Sequence, residues 1–145
     1  MNQEEADRLV CEVSESWLAD QESSVEWAGL HEGRRGIRMR QQARQATTIW
    51  FTVGERTVAF EAYLLPRPPT GAEEVYRIAL ARNHRSWPAT ISVDDRGDLF
   101  ISGRIPLTDL RHVRLDEAVG AVYEVVELTF RTLVKAGFAP REKSL

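Results

Sequence analysis

The sequence predicts an α+β fold: an antiparallel sheet of about five strands packed with three helices, in the order α-β-β-β-α-β-β-α. Three observations carry this prediction. Apolar residues recur at three- and four-residue steps near both ends of the chain, the period of a helix face. Between those ends lie stretches alternating apolar and polar residues, the period of a half-buried strand. Gly, Pro and Asp clusters stand at the joints. At 145 residues the chain has the size of one domain, read as residues 1–145 with a core of about 36–138 and an N-terminal helix of about 3–20.

The first helix follows from Ala6, Leu9, Val10, Val13 and Trp17 falling on one face. Asn2 caps it, with Glu5 three residues on in a variant of the capping box. A polar connector with Gly29, Gly33 and Gly36 then leads to a strand in which Ile37 and Met39 alternate with Arg38 and Arg40. Thr47 to Val53 and Thr57 to Leu65 are two more strands, joined by Gly54-Glu55 as a type II′ turn. That turn would pair Val53 with Arg56, Phe51 with Val58, Ile49 with Phe60 and Trp50 with Ala59. One face is then apolar and the other mixed.

Pro66, Pro68 and Pro69 end the strand, and Thr70-Gly71-Ala72-Glu73 is a capping box opening a helix from about Ala72 to Arg82. Asn83 suits a left-handed terminus. A second hairpin, Thr90 to Val93 and Leu99 to Ile105, turns around residues 94–98. The last helix, about Asp116 to Ala136, closes at Gly137 and Phe138 in the pattern of a Schellman cap. Its apolar residues (Leu115, Val119, Val122, Val126, Phe130 and Leu133, with Ala118, Ala121, Val125 and Leu128) cover more than one stripe, so this helix has more than a sheet to touch.

Composition bounds the chemistry. One cysteine, Cys11, excludes an internal disulfide framework, and lying off the apolar stripe beside Glu12 it reads as an inert thiol. The acidic N-terminus lacks the pattern of a signal peptide, and no apolar run reaches the eighteen or so residues of a membrane span. The expectation is a cytoplasmic protein with no membrane contact. Net charge is −3, which gives no global attraction for nucleic acid. Residues 1–30 carry eight acids against Arg8, whereas residues 31–45 carry Arg34, Arg35, Arg38, Arg40 and Arg44 against Glu32. That basic stretch either contacts phosphate or complements the acidic first helix, and the acidic whole favours the second. The scarcity of Lys (Lys135 and Lys143) reads as genome composition.

No metal, cofactor or catalytic motif emerges. His31, His84 and His112 stand in separate loops or element ends without ligand spacing. Asp94, Asp95 and Asp98 lack the spacing of a calcium loop, and Arg96-Gly97-Asp98 is a hairpin turn. No nucleophile has a base. The surface that stands out is the mixed sheet face, where Arg38 and Arg40 share a side with Trp50, Thr52, Glu61 and Tyr63. Guanidinium planes beside aromatic rings suit peptide recognition or base stacking, or else an internal network on a solvated sheet. Arg38, Arg40, Trp50, Glu61 and Tyr63 are the candidate partner-binding residues.

The stretch Thr48-Ile49-Trp50-Phe51-Thr52-Val53-Gly54-Glu55-Arg56-Thr57-Val58, followed by Glu61-Ala62-Tyr63-Leu64-Leu65-Pro66, resembles the bacterial YbjN family. So do Leu80-Ala81-Arg82-Asn83 and Gly103-Arg104-Ile105-Pro106-Leu107, and the likeness runs from about Gly36 to Phe138. The resemblance implies the type III secretion chaperone-like fold, an actinobacterial-type source, no catalytic residues, no cofactor and a tendency to self-associate. Chaperones of that fold hold client segments on apolar surface and sheet edges.

These readings converge on a non-enzymatic, protein-binding module, chaperone-like or regulatory, acting on an unidentified protein client. The alternative is a nucleic-acid-associated regulator using Arg34 to Arg44. The breadth of the last helix's apolar arc, with Val75, Ile78 and Ala79 on the middle helix, predicts a dimer at micromolar concentration. Light scattering should give twice the 16.5 kDa chain mass, and a clean monomer at high concentration overturns that expectation.

Overall fold

Strand alternation and helix periodicity resolve, in the computed structural model, into one antiparallel sheet with three helices on a single face. The structure describes residues 1–138; the end of the chain, Lys143 included, lies outside the described residues. The elements are α1 (Gln3–Ala19), β1 (Val25–His31), β2 (Arg34–Arg40), β3 (Ala46–Val53), β4 (Thr57–Leu65), α2 (Ala72–Asn83), β5 (Thr90–Val93), β6 (Leu99–Pro106) and α3 (His112–Gly137). The six strands lie in the order β1-β2-β3-β4-β6-β5. The observed order is therefore α-β-β-β-β-α-β-β-α, one strand more than expected.

The added strand is β1, which the sequence reading took for a polar connector. Glu32 (φ 51°) and Gly33 (φ 77°) form its turn into β2. Both have the positive φ of a type I′ hairpin, but Glu in place of Asn or Asp hides the signal. As an edge strand β1 shows little apolar alternation; Val25 alone is fully buried, and a bulge follows it. The sheet accordingly starts at Val25 rather than near Gly36.

The β3–β4 register also differs. Phe51 faces Phe60, Val53 faces Val58 and Trp50 faces Glu61, a shift of two residues from the expected pairing. Gly54 does not take the positive φ a type II′ turn requires; its N–H donates to the Thr57 carbonyl at 2.8 Å, closing a longer loop. A shift of two preserves side-chain parity, so both faces keep their expected residues.

Helix ends correct the sequence reading further. At α1, Asn2 accepts the Glu5 N–H at 2.9 Å as expected. At α2 the capping box does not form: Gly71 is the N-cap at φ 60°, and the Thr70 hydroxyl instead donates to the Gly137 carbonyl at 3.2 Å. A Cβ at Gly71 would lie 2.5 Å from the Ala136 carbonyl oxygen, so the end of α3 sets this corner. Asn83 stays helical; its side-chain amide pairs with both the N–H and the carbonyl of Ile91 at 2.7 Å, tying α2 to β5. Helix α3 begins at His112, four residues early. It ends without a Schellman cap, because the Phe138 N–H bonds the Val134 carbonyl at 2.8 Å. Gly137 serves close packing, since a Cβ there would meet Val75 at 2.7 Å.

The core lies between the helices and the inner residues of the strands, including Ile37, Met39, Ile49, Phe51, Phe60 and Ile101. Helix α3 contributes Leu115, Ala118, Val122, Val125, Val126 and Leu133. Most of its wide arc is accounted for within one chain by α1, α2 and the sheet, and Val113 and Leu128 are left exposed. The breadth of α3 therefore does not by itself call for a second chain. Phe60 is 1% exposed and lies over Gly103 of β6, where any Cβ would collide with its ring. Phe60→Ala should cost about 3–5 kcal/mol in urea unfolding; a loss under about 1 kcal/mol would contradict this packing.

Candidate functional site

The face of the sheet turned away from the helices is lined by rows of side chains that the registers align. The central row runs Gly29, Gly36, Trp50, Glu61, Ser102 and Thr90 across all six strands. On one side lie Trp27, Arg38 and Thr48, with Tyr63 paired to Phe100. On the other lie His31 with Arg34, and Thr52 with Ala59 and Arg104.

Trp50 stands at the centre because Gly36 leaves it room, as Gly29 does for Trp27. A Cβ on Gly36 would sit 2.7 Å from the Trp50 ring, and one on Gly29 would sit 2.9 Å from the Trp27 ring. Each indole therefore lies down over a glycine, the aromatic–glycine pairing that otherwise protects strand glycines. The two indoles meet edge to face at 6.3 Å, His31 lies 6.0 Å from Trp50, and the Arg34 guanidinium stands 5.5 Å over the Trp50 ring.

Trp50 forms a common wall between two hollows. One, of about 420 Å³, is lined by Trp27, His31, Arg38 and Thr48. The other, of about 260 Å³, is bordered by Arg34, Thr52, Glu61, Ser102 and Arg104. Hydroxyls and bases occur in both (Ser102 faces Glu61, and Thr48 shares the first with His31), but among the described residues no hydrogen bond couples a hydroxyl to a base in either. No group of three or more His, Cys, Asp or Glu side chains is placed to hold a metal ion among the described residues.

Of the sequence candidates, Trp50 and Glu61 come together across β3 and β4. Tyr63 lies one row away, edge-on to Phe100 at 5.6 Å, and burial raises the pKa of its phenol with Asp98 and Asp94 adding to the effect. Arg38 is on the face but pairs with Glu26 at 2.9 Å. Arg40 lies at its end and donates to the Ser23 carbonyl at 3.0 Å. Neither is the cation over Trp50; that place belongs to Arg34, because β2 begins three residues before Ile37. Sequence reasoning missed Trp27, His31 and Arg104 as members of this face, and named Arg34 only as part of the basic stretch. Trp27, Gly29 and His31, mirrored by Arg34, Gly36 and Arg38 about Glu32-Gly33, held the signal. His31 is thus no isolated loop residue.

The basic stretch is mostly engaged within the chain. Arg35 crosses to the helix side and pairs with Asp7 of α1 at 3.3 Å. Arg44 turns inward, donates to the Tyr63 and Leu64 carbonyls at 2.7 Å and lies 5.3 Å over the Phe130 ring; burial lowers its pKa. Cys11 is a raised thiol, through burial first and the Glu15 carboxylate beside it, against the pull of Arg35. No described helix is long and apolar enough to cross a membrane.

The glycine floor yields a direct test. Gly36→Ala should force the Trp50 ring outward at a cost of about 1 kcal/mol, the low end for overpacking. Near-ultraviolet circular dichroism should report the displaced indole; an unchanged spectrum would mean that the ring does not rest on Gly36.

Comparison with known proteins matches residues 12–134 to the model of the YbjN family, described as "Putative bacterial sensory transduction regulator". An uncharacterised protein of Mycobacterium leprae is 32% identical over 131 residues, which cover 88% of this chain and 71% of that protein. An uncharacterised protein of Mycobacterium tuberculosis is 34% identical over 87 residues, 60% of this chain and 48% of that protein. One of Mycobacterium bovis gives the same figures. The chain thus spans about half the length that these last two relatives have.

Proposed function

The chain belongs to the YbjN family, and from that premise we propose that it is a non-enzymatic protein-binding module, chaperone-like or regulatory, that offers the open sheet face to a partner protein. The carrying observation is the pair of indoles seated on Gly29 and Gly36 on a face that no helix among the described residues covers. Large rigid aromatics at an uncovered surface are the residues that dominate binding energy at protein interfaces. The family description as a regulator supports the reading.

A nucleic-acid role draws less support. Four of the five arginines in the basic stretch are spent on internal partners, and a phosphate backbone needs a run of free cations. A cytoplasmic setting and self-association are part of the proposal. For the latter the footing is now Leu128 at the α2–α3 groove rather than the breadth of α3.

Trp50→Ala tests the face. The variant should melt with a loss of about 1 kcal/mol, since it removes a half-exposed ring and its cation. Affinity capture from the source cells with mass spectrometry should lose the proteins that the wild type retains. An identical set of captured proteins overturns the assignment of this face.

A further inference from the structure

We infer that the open face takes a carboxylate-bearing segment of a partner protein, with an apolar side chain against Trp27 and acidic side chains between Arg34 and Arg104. This rests on the reading of the face as a protein-binding surface. The two hollows flanking Trp50 differ in chemistry. In the first, Glu26 neutralises Arg38 at 2.9 Å, which leaves two indoles and an imidazole as the main contact surface. In the second, Arg34 and Arg104 make no ion pair among the described residues, and the Thr52, Thr90 and Ser102 hydroxyls stand between and beside them.

Register sets the span. Arg34 on β2 and Arg104 on β6 are separated by Thr52 of β3 and Ala59 of β4. Three strand spacings amount to about 14 Å. That width accommodates two carboxylates of one segment over a floor of small side chains. Glu61 is the acid of this hollow and opposes one of the two arginines, so one net positive charge remains. Hydrogen-bond donors outnumber acceptors, and a ligand rich in acceptors complements them. A nucleic acid fits less well. Its continuous charge would meet two free guanidiniums on this face of a chain with net charge −3.

The four indoles make the experiment self-controlled. Trp27 and Trp50 lie on the face, whereas the Trp17 indole donates to Asp116 at 2.6 Å between α1 and α3, and Trp87 lies beside α3. The probes are an N-acetylated, C-amidated peptide of sequence Glu-Glu-Phe-Glu-Glu, its Gln-Gln-Phe-Gln-Gln counterpart, and a ten-nucleotide oligothymidylate. Each is titrated into nitrogen-15-labelled full chain and read at the indole N–H resonances.

The Glu peptide should move Trp27 and Trp50 and leave Trp17 and Trp87 in place. The Gln peptide should bind at least tenfold more weakly. The Arg34→Ala, Arg104→Ala double variant should lose at least tenfold in affinity for the Glu peptide, with its Trp17 and Trp87 resonances unmoved as the control for folding. Equal affinity for the Glu and Gln peptides, no response to the Glu peptide at millimolar concentration, or tighter binding of oligothymidylate overturns the inference. The two readings fail separately. If Trp50→Ala still loses its captured proteins while the Glu and Gln peptides bind alike, the face stands and its acidic occupant falls. If capture is indifferent to Trp50, the face itself falls.

Discussion

All three helices pack on the same side of one sheet, and that one-sidedness governs most of the structure. The inner residues of the central strands, among them Ile37, Ile49, Phe60 and Ile101, are buried under the helices, whereas Leu30 and Val93 on the edge strands keep the inner parity but stay exposed. Helix α3 is then obliged to be apolar over a wide arc: it meets the sheet on one side and α1 and α2 on others. The opposite face receives no such cover. Its strands must hold hydroxyls, charges and aromatic rings stable in contact with solvent, and the side chains there are organised by cross-strand register alone.

The second dependence is the loop between β2 and β3, which fastens α3 to the sheet. Glu127 of α3 accepts the Gln42 and Ala43 N–H groups at 3.0 Å and the Gln41 side-chain amide at 2.7 Å. These bonds, the backbone one from Ala43 foremost, hold its carboxyl below the usual carboxylate range. From the same loop Arg44 reaches under the sheet to the Tyr63 and Leu64 carbonyls, where β4 bulges against β6. A partly buried guanidinium without a carboxylate is tolerated here because carbonyls, the Thr47 hydroxyl and the Phe130 face surround it. Arg44 therefore belongs to the scaffold, although its charge had placed it with the residues of a phosphate-binding stretch.

Parity was the legible part of this sequence. The expected turn at Gly54-Glu55 was of the wrong type, yet the resulting error was two residues, and an even shift leaves Phe60 inside and Trp50 outside. What escaped were features decided by tertiary contact. Thr70 forgoes its capping role because the end of α3 occupies the corner, and Asn83 is taken by Ile91. Strand β1 escaped because an edge strand buries little and its turn lacks the usual Asn-Gly. Missing β1 and the first three residues of β2 kept Trp27, His31 and Arg34 from being placed on this face together. The site was thus half legible: its centre by alternation, its flank not at all.

Glycine–aromatic pairing occurs on both faces, and the contrast between the two instances bears on function. Inside, Phe60 lies over Gly103 and is fully buried, so the conformational cost of a strand glycine is offset by the burial of a whole ring. Outside, Trp50 lies over Gly36 and Trp27 over Gly29, with Trp50 half-buried and Trp27 exposed. A strand glycine costs roughly 0.5–1 kcal/mol relative to alanine. Two of them on the solvent side recover only part of that from rings that remain accessible. Stability alone would favour threonine or valine at both positions, with the indoles upright or absent. What the glycines provide instead is two flat aromatic surfaces at a fixed level on a rigid sheet, a geometry whose remaining exposed area becomes useful when something covers it.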